Sequence, residues 1–436
     1  MAGMDLELNL TSRRFMLVLL LLIIYVLVYI RNGPTDVTFS KPSHWYEGRT
    51  TFTPKHHNDW IIPLFDSLRD ELEMRILNAT DMKIILVWIP MFGMKPVHEI
   101  DAKKCGSCEV TYDREKIDDE RTGAVVFHFD GIGPKNMTPT RNLSQLYIYW
   151  DLESTANLRS SRGDTLEFED NFQFNATMTY RRDSDFYQSY EHKYGVTRII
   201  EENTLTLEEL LAMKTKHSVT FVSNCRANAR ARFRMKMLEH IIRLGFKLEG
   251  FGACFWGSGK FANGKSRDEP KFYAEVRKYK FHFSFENSYH CKDYITEKFF
   301  NNALRSFTVP VVWGATREDY EAVAPPGSFI FVEDFDSVEA LADYLNYLDK
   351  NDTAYLEYLK WLTMKPRDMP HYGRARHWCS ICRALHGINI DDIYSPKYNK
   401  TNPIRPLFTD GVATRTVEHL KDWYYGEDNP ECFSKY

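Results

Sequence analysis

Residues 281–314 read FHFSFENSYHCKDYITEKFFNNALRSFTVPVVWG, and this stretch decides the fold of the chain. Three phenylalanines alternate with other residues at its start, which predicts a β-strand. A polar break then leads to Thr296, a predicted N-cap for a helix over about 297–304, and a second strand follows over 309–314. The stretch therefore predicts one strand–helix–strand unit of a parallel sheet.

The first turn of that helix is a predicted anion site. In a strand–helix–strand unit the helix N-terminus lies at the carboxyl end of the strand, where α/β sheets bind ligands. Free backbone N–H groups and the helix dipole favour an anion there. Lys298 adds a full positive charge, so we expect a diphosphate. Taken alone, the segment is also compatible with an ordinary helix cap that binds nothing.

A second cation is predicted at the start of another helix. A strand over 218–224 precedes a basic helix over 228–244, whose first turn carries Arg230 and Arg232. A guanidinium matches phosphate geometry, although a solvated basic face would give the same pattern. Lys298 and one of these arginines would together stabilise a departing nucleoside diphosphate without a metal.

Glu153 is a candidate general base. It ends the predicted strand QLYIYWDLES of the first half, and a carboxylate at a strand end that faces a cleft can take a proton. Asp151 lies on the same face of the strand and could serve instead.

Two Asp-x-Asp pairs raise the alternative of a metal site. One consists of Asp183 and Asp185, and the other of Asp334 and Asp336. Asp336 is explained as a helix cap, and arginines precede Asp183. We therefore expect no metal at either pair.

The N-terminus predicts a membrane anchor. Residues 15–30 are apolar and are preceded by Arg13 and Arg14 and followed by Arg31. Such a span suits a thin bilayer, and the arginine pair places the tail 1–14 in the cytoplasm. No small-residue cleavage motif follows, so an uncleaved type II anchor of the Golgi membrane is favoured over a cleaved signal peptide.

The rest of the chain is too long for one compact domain and suits two. We predict a stem over 31–78, a first domain over 79–213, a second over 214–366 and a segment over 367–436 that wraps back over the body. Alternating strands and helices predict doubly wound parallel sheets. A helix over 62–77 in the stem docks on the body or pairs two chains as a homodimer.

The composition supports a glycosylated luminal protein. The hydrophobic content of 43% and aromatic content of 14% allow substantial cores, and the net charge of −4 gives no case for a nucleic-acid partner. The predicted N-glycosylation sites are Asn78, Asn136, Asn142, Asn175, Asn351 and Asn399.

All eight cysteines follow the anchor, where an oxidising compartment favours disulfides. The pairs Cys105/Cys108 and Cys379/Cys382 are expected to crosslink the beginning and the end of the globular region. A zinc ion held by the four thiolates is the alternative.

The sequence resembles a known family of enzymes. Residues 281–314 are similar to the signature FxFxFENSxxxxYxTEKxxNAxxxxxVPVxxG of the α1,3-fucosyltransferases, which transfer fucose from GDP-fucose to N-acetylglucosamine. The resemblance covers roughly residues 83–385 and the anchor. Four further segments are similar to family segments, namely DLES (151–154), FNATMTYRRDSDF (174–186), SNCRANARARF (223–233) and HWCSICRAL (377–385).

The resemblance implies a GT-B architecture, in which two Rossmann-like domains face a cleft with the acceptor in the first and the donor in the second. It implies an inverting displacement without a covalent intermediate and without a required cofactor, although a divalent cation such as Mn²⁺ can stimulate. Glu153 would be the base. The implied donor-site residues are Glu297 and Asn287 at the fucose, and Tyr294, Lys298 and Arg230 at the diphosphate.

The chain departs from the family pattern in three places, and the first of them leaves the acceptor open. The chain reads His128-Phe129-Asp130 where many members read His-His-Arg or His-His-Trp, a position associated with acceptor choice. Thr155 replaces a common proline, and Cys432 is additional. The acceptor could be antennary N-acetylglucosamine, the chitobiose core or a glycolipid. A catalytically silent luminal glycan-binding protein with the same fold is the alternative function.

Overall fold

The structure is a computed structural model that describes residues 74–162, 166–172, 174–191, 195–226, 228–255, 269–369, 377–388, 406–417, 419–426 and 432. The predicted tail and anchor lie outside this part of the chain, as does the stem up to residue 73. Within the described ranges, no helix is both long enough and apolar enough to cross a bilayer. The anchor therefore stays a prediction.

The first domain is built on a six-stranded sheet in which every neighbouring pair is parallel. Its spatial order is β2-β1-β3-β4-β5-β6. The strands are β1 (Lys83–Ile89), β2 (Cys108–Thr111), β3 (Thr122–His128), β4 (Leu146–Asp151), β5 (Ala176–Thr179) and β6 (Phe186–Tyr187). The central strands β3 and β4 are almost wholly buried, as expected when helices cover both faces of a parallel sheet.

The second domain contains a five-stranded sheet, which is also all-parallel. Its order is β11-β10-β9-β7-β8. The strands are β7 (Lys216–Phe221), β8 (Leu248–Phe251), β9 (Tyr279–Phe285), β10 (Val309–Trp313) and β11 (Ile330–Phe331). The opening stretch of the sequence forms most of β9 and all of β10, at the centre of this sheet. The predicted α/β class with parallel sheets is confirmed; the GT-B cleft and the domain bounds stay predictions.

Helices connect these strands. They are α1 (Ala102–Cys105), α2 (Thr155–Arg162), α3 (Glu167–Phe172), α4 (Val196–Glu202), α5 (Leu207–Ala212), α6 (Ala229–Arg243), α7 (Glu269–Val276), α8 (Arg317–Val323), α9 (Val338–Lys350), α10 (Asp352–Glu357), α11 (Trp378–Leu385) and α12 (Leu420–Tyr425). A π-helix, Lys298–Ala303, connects β9 to β10.

Several local predictions were wrong. The helix after Thr296 is π-helical over Lys298–Ala303, although Thr296 does cap its start as predicted. The Thr296 hydroxyl accepts from Lys298 N at 3.5 Å and also donates to the buried Glu286 carboxylate. Ser337, not Asp336, caps α9 through a hydrogen bond from Ala340 N. No regular elements were predicted over 155–213, which contains α2 to α5 together with β5 and β6. Strand β2, which is only half-buried, escaped prediction.

The cysteines form four disulfides. Cys105 is bonded to Cys379, and Cys108 to Cys382, so the predicted crosslink between the two ends of the globular region is confirmed. The remaining disulfides are Cys225–Cys254 and Cys291–Cys432. The zinc alternative is contradicted, since disulfide sulfurs are not thiolate ligands.

The predicted glycosylation sites differ in exposure. Asn78, Asn136 and Asn142 are exposed, Asn351 is half-buried and caps α10, and Asn399 lies outside the described residues. Asn175 is buried, and its amide nitrogen donates to the carbonyls of Ala413 and Arg415 at 3.2 and 2.7 Å. A glycan at Asn175 would replace one of the two hydrogens on this buried nitrogen and so break at least one of these hydrogen bonds, which argues against its modification in the folded protein.

A buried ion network joins the two sheets. Arg182, after β5, donates through its Nε and backbone N to Asp293 at 2.5 and 2.9 Å, and its Nη2 lies 3.6 Å from Asp319 Oδ1 at the start of α8. Burial and then the neighbouring Asp293 raise the pKa of Asp319 to about 7. The folded protein therefore retains a proton on Asp319 over a range in which the unfolded chain loses it.

Asp319→Asn should become increasingly stabilising, relative to the native chain, as the pH rises. The contribution of Asp319 is complete below the unfolded pKa of 3.8 and is lost as the pH rises through about 7. In urea unfolding between pH 5 and 8, the stability gap in favour of the variant should grow by up to about 1.4 kcal/mol per pH unit. A gap that stays constant with pH would contradict this reading. Asp343→Asn, at an exposed carboxylate on α9, is the control.

Candidate functional site

The buried carboxylate of Glu286 organises the loop between β9 and the π-helix. Glu286 follows the last residue of β9 and is fully buried. It accepts hydrogen bonds from Thr296 N at 2.8 Å and Thr296 Oγ1 at 2.9 Å, and from Lys298 Nζ at 3.1 Å. Burial raises the pKa of Glu286, and the Lys298 charge offsets part of that rise. The loop must therefore fold back so that Thr296 and Lys298 reach this carboxylate.

Lys298 remains a cation at this site. Its Nζ donates to Thr296 Oγ1 at 2.8 Å and lies 3.4 Å from Glu297 Oε1. Burial lowers the pKa of Lys298, but the carboxylates of Glu286 and Glu297 outweigh burial and raise it overall. Its side chain is 15% exposed, whereas that of Glu286 is 0% exposed. The structure thus places a fixed positive charge where the sequence predicted an anion site.

Tyr294 lies between this loop and the first domain. Its ring packs edge-on against Tyr180 at 5.0 Å and Tyr190 at 6.1 Å between centroids. Burial, followed by the charges of Tyr190 and Glu153, raises the pKa of Tyr294 well above its usual range. Its phenol therefore stays protonated and can donate a hydrogen bond.

Helix α6 brings Arg230 to the same loop. Asn228 caps the helix by accepting from Ala231 N at 2.8 Å. Arg230 is 4% exposed, and its guanidinium lies 5.5 Å from the centre of the Tyr289 ring. Arg232 is exposed and donates to Arg226 O at 3.3 Å, within its own segment. Of the two candidate arginines, the geometry therefore favours Arg230.

Sequence reasoning missed the structural role of Arg234. This side chain is buried one helical turn after Arg230 and donates to Phe285 O at 2.9 Å and to Asn224 O. It fixes the end of β9 against α6. The i, i+4 spacing from Arg230 was the available signal, because it puts both side chains on one helix face.

Glu153 lies two residues beyond the end of β4, rather than within the strand as predicted. Its backbone is held at both ends, since its N–H donates to Asp151 Oδ1 at 2.7 Å and its carbonyl accepts from Tyr424 Oη at 2.9 Å. Its side chain is half-buried, and its Oε2 accepts from Asn157 Nδ2 at 2.7 Å.

Asp151, the alternative base, is fully buried. Besides Glu153 N it accepts from Tyr149 Oη at 3.3 Å. Burial raises the pKa of Asp151 well above its usual range. Asp151 therefore orients the turn, and Glu153 is the more accessible of the two carboxylates.

Two contacts connect the Glu153 turn to the second domain. Ser154 Oγ lies 2.5 Å from Ser288 Oγ, which in turn donates to Asn287 Oδ1 at 3.1 Å. Asn228 Nδ2 donates to Asn157 Oδ1 at 3.2 Å. The structure therefore brings the candidate base beside the start of α6 and beside the loop 286–297, which is called the donor loop because the resemblance assigns the donor site to it.

The two Asp-x-Asp pairs are engaged in other contacts. Asp183 pairs with Arg181 at 2.8 Å and Lys292 at 3.3 Å, whereas Asp185 accepts from Thr177 N at 2.7 Å and pairs with Arg415. The two side chains thus bind different partners instead of offering two open carboxylates to one ion. In the other pair, Asp334 forms an ion pair with Arg317.

The described parts of the C-terminal segment lie against the first domain and the donor loop. The Arg181 guanidinium stacks 4.4 Å from the centre of the Trp423 ring and donates to the Trp423 carbonyl. The next residue, Tyr424, holds the Glu153 carbonyl. The Cys291–Cys432 disulfide then ties the segment to the loop after β9. This segment therefore helps to fix both halves of the site.

Comparison with known proteins identifies the family. The model "Fucosyltransferase, N-terminal" matches residues 80–191, and the model "Glycosyltransferase family 10 (fucosyltransferase) C-term" matches residues 211–398. The chain belongs to the family 10 fucosyltransferases. These two models cover the first and the second sheet, with Glu153 in one and Lys298 in the other.

Several relatives are similar to most of the chain. Glycoprotein 3-alpha-L-fucosyltransferase A of Drosophila melanogaster is 29% identical over 415 residues, which are 91% of this chain and 72% of the relative. A 4-galactosyl-N-acetylglucosaminide 3-alpha-L-fucosyltransferase of Pan troglodytes is 33% identical over 70% of this chain and 80% of its own. A crystal structure of an alpha1,3-fucosyltransferase with GDP-fucose aligns with 74% of this chain and 97% of its own, with a TM-score of 0.41 and 14% identity.

Lys298→Met should lower the free energy of unfolding by about 3 kcal/mol, because it leaves the buried Glu286 carboxylate without its cation. The double variant Lys298→Met/Glu286→Gln should recover most of that loss, since the buried charge is then gone. Urea unfolding of the four members of this cycle measures the coupling. Additive losses in the double variant would show that the pair is not coupled, and Lys350→Met on α9 is the matched control.

Proposed function

We propose that this chain transfers L-fucose from GDP-fucose to the 3-hydroxyl of N-acetylglucosamine in glycoprotein glycans. The observation that carries the proposal is the contact between the Glu153 turn and the donor loop through Ser154 and Ser288. It supports a reaction in which the half-buried Glu153 carboxylate of one domain acts beside the donor loop of the other. Family membership supports the reaction, and the two relatives described above, both named as 3-alpha-L-fucosyltransferases, support the linkage.

The proposed reaction is a single inverting displacement. Glu153 takes the proton of the acceptor 3-hydroxyl while that oxygen forms a bond to the anomeric carbon of fucose. The bond from this carbon to the diphosphate oxygen breaks, and its electron pair leaves with GDP. Positive charge develops on the sugar and negative charge on the diphosphate as the bond breaks.

Donor binding is assigned to the second domain. Lys298 and Arg230 would stabilise the diphosphate charge as it develops, with the protonated Tyr294 phenol as a further donor. Glu297, whose side chain is 30% exposed beside Lys298, would hold fucose hydroxyls, with Asn287 nearby. Each of these groups lies on the loop after β9, on the π-helix or on α6.

We further propose that the chain is a single-pass type II protein of the Golgi membrane with its catalytic region in the lumen. The apolar run and its flanking arginines support this placement, as do the four disulfides, which need an oxidising compartment. Pairing of two chains through the stem remains a prediction.

Glu153→Gln should reduce turnover by roughly a hundredfold or more, because the amide cannot take the acceptor proton. Binding of GDP, measured by calorimetry, should stay within about twofold of the native chain, since Glu153 lies in the other domain. Glu167→Gln, at an exposed carboxylate on α3, should retain activity. Native turnover in Glu153→Gln would remove the base assignment, and a native chain without turnover would favour the silent glycan-binding alternative.

Transfer should persist in excess EDTA, because Lys298 and Arg230 supply the charge that a metal would otherwise supply. The measurement is initial rate after dialysis against the chelator, with and without added Mn²⁺. A stimulation by Mn²⁺ of a few fold agrees with faster release of GDP. Complete loss of transfer that Mn²⁺ restores would instead require a metal in the chemical step.

A further inference from the structure

Asn157 holds the carboxylate of Glu153. It lies in the first turn of α2, and its backbone N–H donates to Ser154 O at 2.9 Å, which fixes its place relative to Glu153. Its Nδ2 donates to Glu153 Oε2 at 2.7 Å. An ionised carboxylate only accepts hydrogen bonds, so the Asn157 nitrogen, not its oxygen, must face Glu153.

The same amide contacts the second domain through its other atom. Asn157 Oδ1 accepts from Asn228 Nδ2 at 3.2 Å, and Asn228 uses its own oxygen to cap α6. Arg230 lies two residues further along that helix. One asparagine side chain therefore bridges the candidate base and the helix that carries the candidate diphosphate arginine.

We propose that Asn157 is a positioning residue, which orients the Glu153 carboxylate and fixes its position relative to the start of α6. The inference rests on the proposed function, in which Glu153 is the base. Tyr424 and Asp151 hold only the backbone of Glu153. Within the described ranges, the hydrogen bond that orients the carboxylate itself comes from Asn157. Loss of this bond lets the carboxylate rotate away from the acceptor.

The electrostatic surroundings of Glu153 set the conditions of any test. Several other titratable groups act electrostatically with Glu153 and must be unchanged in the variants. These groups are Asp151 at the end of β4, His128 at the end of β3, Tyr190 after β6, and Tyr294 on the donor loop.

Two substitutions at Asn157 test the proposal with the full-length chain. Asn157→Ala should lower kcat by about tenfold while KM for GDP-fucose stays within about twofold. Asn157→Asp, which keeps the size and the acceptor for Asn228 but cannot donate to Glu153, should lower kcat by at least as much, because two carboxylates then face each other. This isosteric variant decides the matter if Asn157→Ala does not fold.

A matched pair of controls separates positioning from stability. Asn346→Ala removes an exposed asparagine on α9 and should leave the kinetics unchanged. Asn228→Ser keeps the α6 cap but loses the amide that reaches Asn157, and should reproduce a smaller part of the kcat loss. Native kcat in Asn157→Ala or in Asn157→Asp overturns the proposal.

A double variant distinguishes this inference from the proposed function. In a Glu153→Gln background, Asn157→Ala should change the residual rate by less than about twofold, because the group that it positions is already gone. A further tenfold loss would overturn the inference. Native turnover in Glu153→Gln removes the base assignment itself, whereas native turnover in Asn157→Ala beside an inactive Glu153→Gln removes only the role of Asn157.

Discussion

The donor side of this structure depends on one buried charge, the carboxylate of Glu286. A buried carboxylate without partners is strongly unfavourable, so the chain must fold back until Thr296 and Lys298 donate hydrogen bonds to Glu286. That return shapes the loop that carries Tyr294 and sets Lys298 at the start of the π-helix. Gly314 completes the arrangement, because a Cβ at this position would lie 2.5 Å from the Glu286 Cβ.

The first domain is held against the second by contacts that cross from one sheet to the other. Ser154 meets Ser288, Asn157 meets Asn228, and Arg182 meets Asp293. The C-terminal segment reinforces them through Tyr424 and the Cys291–Cys432 disulfide. The base and the donor loop therefore belong to one connected network of hydrogen bonds, although they lie in different domains. A substitution in one domain should therefore alter the geometry of the site in the other domain.

The local parts of this site were predictable from sequence, and the long-range parts were not. The apolar alternation of β9 and the lysine at the following helix are short-range patterns, and both lie where they were expected. The two Cys-x-x-Cys pairs were likewise recognisable. The bridge between Asn157 and Asn228 joins residues 71 apart and has no local signal. The burial of Asn175 is also long-range, because its partners Ala413 and Arg415 lie near the other end of the chain. The residue pattern alone left Asp151 as an alternative to Glu153, and the resemblance favoured Glu153. In the structure the two differ in burial, since Asp151 is fully buried and Glu153 half-buried.

The central claim is that Glu153 and the Lys298 site act on one acceptor and one GDP-fucose in a single displacement. The most direct measurement is the structure of the product, made by the purified chain from GDP-fucose and a panel of core, antennary and glycolipid acceptors. Mass spectrometry identifies the acceptor, and NMR gives the linkage and the anomeric configuration. The account predicts fucose on the 3-hydroxyl of N-acetylglucosamine with the configuration inverted relative to the donor. Retained configuration, or linkage to another hydroxyl, would contradict it.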